Sequence, residues 1–141
     1  FINGTNDFAY FVENWQKTAN LASNAQYSLI PEMKHSHFHG AEPEEIYYFI
    51  QTTLEDKTES ISSIKLEEKG EKARYSISHA SKEVYLAYTA DEKRSPERNW
   101  QLIPLGKAKG EVIIPEGAKL WYIYWVDKSG NRRSSEVMGW E

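Results

Sequence analysis

Between Ile30 and Gly40 the chain reads IPEMKHSHFHG, and three of its four histidines fall inside that stretch. Histidine ordinarily titrates near neutral pH, so one imidazole can take up a proton and return it within a single reaction. The cluster follows a short apolar run and precedes a helical pattern, which places it where a strand ends. His35 lies nearest that exit and reads as a general base, with His37 as the runner-up. The second chemical reading is a metal site. Spaced as His35-x-His37-x-His39 on an extended segment, three imidazoles would face one side, and zinc accepts such ligands with a carboxylate as the fourth. Pro31 and the helix start beyond it favour a loop over a regular strand, so the proton-transfer reading is preferred and the metal site is kept as its alternative.

Asp7 is the partner such a base needs. It stands in a Gly4-Thr5-Asn6-Asp7 turn, where an aspartate is commonly just a turn former. A carboxylate beside an imidazole also fixes its tautomer and stabilises its protonated form. In hydrolases that use a serine nucleophile within an α/β sheet, the chain order is nucleophile, acid, histidine. Asp7 and His35 appear in that order, so the nucleophile is expected outside this chain. Such a relay calls for no cofactor.

The elements that would hold these residues can be read from periodicity. Phe1-Ile2 reads as the end of a strand and Asn3–Asp7 as the turn leaving it. Because two residues are too few to hold a place in a sheet, the chain is expected to be the C-terminal piece of a longer protein. Phe11, Trp15, Thr18 and Ala22 recur at helical spacing from about Phe8 to Ala22. Tyr27–Ile30 reads as a second strand stopped by Pro31. Pro43 followed by Glu44 and Glu45 marks a helix start, with Ile46, Phe49, Ile50 and Leu54 as the face it buries. Strand, helix, strand, helix is a βαβα piece with parallel strands. Functional groups collect at the carboxyl ends of such strands, and Asp7 and His35 both lie just past one.

After the polar joint Glu55–Glu59 the period falls from about four to two. Ile64/Leu66, Ala73/Tyr75/Ile77, Val84/Leu86/Tyr88, Trp100/Leu102, Val112/Ile114 and Leu120–Val126 alternate, and a last strand is expected near Ser135–Met138. Short strands at this spacing indicate an immunoglobulin-like antiparallel β-sandwich. The organisation expected is α+β: residues 1–58 as the end of a catalytic domain and 59–141 as an independently folding sandwich.

Several motifs resemble one family. Asn3-Gly4-Thr5-Asn6-Asp7-Phe8-Ala9-Tyr10, then Ile30-Pro31-x-Met33-x-His35-x-His37, then Pro43-Glu44-Glu45-Ile46-Tyr47 resemble the C-terminal part of α/β-hydrolases of the acetylxylan esterase and prolyl-oligopeptidase-like group. Trp100-Gln101, Pro115-Glu116-Gly117 and Ser134-Ser135-Glu136 are similar to elements of a sandwich that trails some members. The resemblance implies that Asp7 and His35 are the acid and histidine of a Ser-Asp-His triad in a carboxylic-ester hydrolase. It further implies a secreted or periplasmic setting. The Gly-x-Ser-x-Gly nucleophile motif is absent here, so this chain alone is expected to be inactive and to partner an upstream portion of the hydrolase.

Composition trims the alternatives. A formal charge of −4 argues against nucleic acid, and no apolar run approaches a membrane span. Cysteine is absent, so no disulfide contributes. Five tryptophans invite a second reading, a non-catalytic module binding carbohydrate or protein, against the simpler reading that they fill a core. Residues 1–54 are further expected to self-associate through apolar faces left without partners.

Overall fold

The computed structural model describes residues 1–139. In chain order its elements are β1 (Ile2–Asn6), α1 (Val12–Ala19), β2 (Ser28–Lys34), α2 (His37–Ala41), α3 (Glu44–Leu54), β3 (Ile64–Lys69), β4 (Lys72–Ile77), β5 (Ser81–Thr89), β6 (Gln101–Pro104), β7 (Lys109–Ile113), β8 (Leu120–Asp127) and β9 (Arg132–Ser134). Three sheets result: β1-β2, parallel; β3-β4-β7, antiparallel; and β6-β5-β8-β9, antiparallel.

β8 is the strand from which the layers are built, because both of its faces are apolar. Trp121, Ile123 and Trp125 point one way and join Val84 and Leu86 of β5 against Ala73, Tyr75 and Ile77 of β4 and Val112 of β7. The indole Nε1 of Trp125 donates to Ser62 Oγ at 3.0 Å, so this buried polar atom is satisfied. Leu120, Tyr122 and Tyr124 point the other way and pack with Val12 and Trp15 of α1, Leu29 of β2 and Val137. Two-sided burial is why both alternating sets of residues in Leu120–Val126 are apolar.

The first residues are tied to this second face at several points. Tyr27 forms an isolated bridge with Ser134. Ser28 Oγ donates to the Arg132 carbonyl, and the Leu29 amide donates to Ser134 Oγ. The Gln16 side chain donates to the Val137 carbonyl and accepts from the Val137 amide, as a neighbouring strand would.

These observations correct the expected fold class. Strand outweighs helix by 40% to 22% across three small sheets, and the described residues show no α/β-hydrolase βαβα piece. The parallel sheet has only two strands, too few to enclose a core of its own, so Val12, Trp15 and Leu29 find cover on a face of the β8 sheet. α3 does not bury the face expected of it either. Phe49 and Ile50 are 44% and 49% exposed and Leu54 is 82% exposed, whereas Glu45 and Thr52 are buried. The helix makes its main contact with the turn at 58–60 instead.

Smaller differences have local causes. β1 is five residues long, not two, because the polar Asn3-Gly4-Thr5-Asn6 segment pairs with β2 and satisfies its own side chains. Asn3 Nδ2 donates to the Tyr10 carbonyl, and Thr5 Oγ1 donates to Asn6 Oδ1 while accepting from the Glu32 amide. β2 runs through Pro31 to Lys34. The last strand is Arg132–Ser134, with Met138 making only a single bridge to Trp121. Among the described residues no helix is long and apolar enough to cross a membrane.

Candidate active site

Parallel pairing puts the carboxyl ends of β1 and β2 side by side, and Asp7 and His35 are the residues immediately beyond those ends. The register is not regular up to that point. Gly4 pairs with Ile30 but Asn6 pairs with Lys34, so β2 carries extra residues and bulges. Glu32, within the bulge, has a positive φ of 60°. The bulge brings the Met33 backbone against Gly4, where any Cβ would overlap the Met33 carbonyl. Gly4 is therefore required by close approach rather than by turn geometry.

The structure brings Asp7 and His35 together, with Asp7 Oδ2 3.0 Å from His35 Nδ1. Asp7 is buried, while the His35 side chain is 39% exposed. The other carboxylate oxygen, Oδ1, accepts from the amides of Ala9 at 2.7 Å and Tyr10 at 2.8 Å. Those two bonds hold the carboxylate in one orientation. They also explain why α1 begins at Val12 and not near Phe8, since an aspartate that captures the next amides competes with a helix there. Val12 in turn donates to Ser95 Oγ, and Asn6 Nδ2 donates to the Pro96 carbonyl, so a loop of the β-rich half braces both sides of the Asp7 turn.

The imidazole of His35 contacts two aromatic rings. Phe8 meets it edge-on with centroids 5.2 Å apart, and Tyr10 is tilted against it at 5.6 Å. Neither residue stands out in the sequence as part of a site; only their place in the turn after Asp7 puts them there. Because a carboxylate can only accept, Nδ1 must carry the proton in this hydrogen bond. Nε2 then presents its lone pair, and no residue among those described bonds to it. A cavity of about 360 Å³ lies beside the pair, lined by Asp7, Tyr10, Met33, His35, His39 and Ile46 among others.

The other two histidines of the stretch are placed differently. His37 opens α2 and is exposed, without contact to Asp7. His39 Nδ1 lies 2.7 Å from Ser36 Oγ, which also accepts the His39 amide at 3.0 Å and so caps α2. The metal alternative required an extended segment to align His35, His37 and His39. Residues 37–41 are helical, and among the described residues no group of three His, Asp or Glu side chains is gathered for a metal. Trp15, Trp121 and Trp125 are buried, and Trp100 packs edge-on against Tyr122, so the described tryptophans act as core.

Comparison of the chain with protein families, with curated proteins and with solved structures returns no match.

Proposed function

We propose that Asp7 and His35 are the acid and the general base of a serine-hydrolase relay that cleaves an ester bond, completed by a serine supplied from outside this chain. The observation that carries the reading is the 3.0 Å contact between a buried, doubly anchored Asp7 carboxylate and His35 Nδ1. The motif resemblance of residues 3–10, 30–37 and 43–47 supports the same roles. Fold resemblance plays no part in it.

The chemistry follows from the protonation pattern. With Nδ1–H directed at Asp7, the Nε2 lone pair takes the proton of an incoming hydroxyl as its oxygen attacks the ester carbonyl. The imidazolium that forms is stabilised by the Asp7 carboxylate. It then returns the proton to the departing alkoxide as the carbon–oxygen bond breaks. Phe8 and Tyr10 contact the ring and restrain its orientation. Ser36, the nearest hydroxyl in sequence, is committed to capping α2 and to His39.

Hydrolysis of p-nitrophenyl acetate by the protein that contains this chain and its nucleophile tests the role. His35→Ala is expected to lower kcat by about a thousandfold or more with the fold retained. An active His35→Ala variant beside an inactive His37→Ala variant would transfer the role to His37, and two active variants would end the hydrolytic reading.

A further inference from the structure

The relay occupies only one end of the cavity beside it. The walls of that cavity include Ile2 and Asn3 as well as Asp7, so it follows β1 from its amino end to its carboxyl end. At about 3.3 Å per residue, Ile2 and Asn6 stand about 13 Å apart. The two ends differ in chemistry. Lys34, His35, Ser36 and His39 join Asp7 at the carboxyl end. The amino end is apolar, walled by Ile2, by Trp15 of α1 and by Ile46 of α3. Trp15 belongs there because it packs edge-on against Tyr27, the residue before Ser28, which pairs with Ile2. Ile46 belongs there because it also lines a second cavity together with Ile2, Gln26 and Ser28.

We propose that the amino end of this cavity seats a medium-length hydrocarbon chain, carried on the acyl or the alcohol side of an ester whose carbonyl lies at Asp7 and His35. The inference rests on the ester-hydrolase reading and gives its substrate class, lipophilic esters rather than acetyl esters. Three observations support it. The volume of about 360 Å³ falls within the range of about 300–1,000 Å³ typical of small-molecule sites. Isoleucine and tryptophan walls leave the hydroxyls of a polar substrate without partners, which costs free energy on burial. An acetyl group placed at His35 leaves those walls against water, whereas a longer chain covers them.

Binding is tested first without turnover, on the 141-residue chain titrated with octan-1-ol and with butan-1-ol and followed by ¹H–¹³C methyl spectra. Octanol is expected to bind saturably, to shift the Ile2, Met33 and Ile46 methyl signals, and to show cross-relaxation from its chain to Ile46. A buried methylene is worth roughly fourfold in affinity, so butanol should bind at least about tenfold more weakly. Ile46→Trp, which fills the apolar end, should weaken octanol by about tenfold or more; the wild-type contact to Ile46 is a test that needs no variant. In a protein that supplies the proposed serine, kcat/KM should be at least about tenfold higher for p-nitrophenyl octanoate than for p-nitrophenyl acetate if the chain is on the acyl side. If it is on the alcohol side, octyl acetate should exceed ethyl acetate by as much. Equal affinities for the two alcohols, shifts confined to another surface, no saturable binding, or no preference for the longer chain on either side would each overturn the proposal. An inactive His35→Ala variant in a chain that does not bind octanol would end the substrate class and leave the relay. Octanol bound at Ile46 beside an active His35→Ala variant would end the relay and leave the hydrocarbon site.

Discussion

Gly4 lies with its Cα against the backbone of Met33, so closely that a Cβ would overlap the Met33 carbonyl oxygen and crowd its Cβ. The contact is made by the bulge in β2, and the bulge sets where His35 emerges. Gly4→Ala is therefore expected to force the bulge away, at a cost of about 1–3 kcal/mol. It should also separate His35 from Asp7. Thermal unfolding and the ¹⁵N shifts of the imidazole check the two effects together. A variant that unfolds at the wild-type temperature with an unchanged His35 spectrum would show that the close approach is not what holds the site.

Asp7→Asn keeps an oxygen in place to accept the Ala9 and Tyr10 amides, so the turn is expected to survive. What changes is the other atom. An amide nitrogen facing Nδ1 is a donor, so the ring should switch to the tautomer protonated on Nε2. Long-range ¹H–¹⁵N spectra of the 141-residue chain read this directly. In a protein that supplies the proposed serine, kcat should fall by about 10⁴-fold. The same tautomer in wild type and variant would mean that Asp7 does not control the ring.

Glu45 is the buried carboxylate that links α3 to β9. Burial by itself pushes its pKa up, but hydrogen bonds from the Arg132 side chain and backbone outweigh burial and hold it below the ordinary value. The folded state thus binds this proton less readily than the unfolded chain. The resulting stabilisation is present in full above the ordinary glutamate value of about 4.3 and is lost as pH falls through the lower folded value. Glu45→Gln should flatten that part of the stability–pH curve, measured by urea unfolding at a series of pH values. Arg132→Ala, which removes the side-chain charge and leaves the buried carboxylate only the Arg132 backbone amide, is expected to destabilise by about 3 kcal/mol at neutral pH.

The two faces of β8 give different expectations for residues 59–141 expressed alone. The core between the β3-β4-β7 and β6-β5-β8-β9 sheets is retained, whereas Leu120, Tyr122 and Tyr124 lose the cover of Val12, Trp15 and Leu29. The fragment should still unfold cooperatively, but at a lower temperature and with an exposed apolar face that binds a hydrophobic dye. In the whole chain, Leu29→Ala should cost about 2–5 kcal/mol. Wild-type stability in the fragment would show that the first 58 residues contribute nothing to the second face.

Local pattern alone made much of this protein legible. Alternation marked the strands between Ile64 and Val126, because the side chains of a strand repeat every second residue whatever lies across from it, whereas the last strand, expected near 135–138, lies at Arg132–Ser134. The order Asp7 before His35, each expected just past a strand's carboxyl end, marked the pair, because parallel strands joined by a helix place their ends together. The rest depended on contacts distant in sequence. Whether Val12, Trp15 and Leu29 face more parallel strands or β8, and whether Phe49 and Ile50 are covered or bare, is decided by which apolar surface lies opposite, and periodicity names a face without naming its partner. The same holds at the site. Phe8 and Tyr10 reach His35 only because Asp7 draws back the chain that follows it, and His35 reaches Asp7 only because β2 bulges over Gly4.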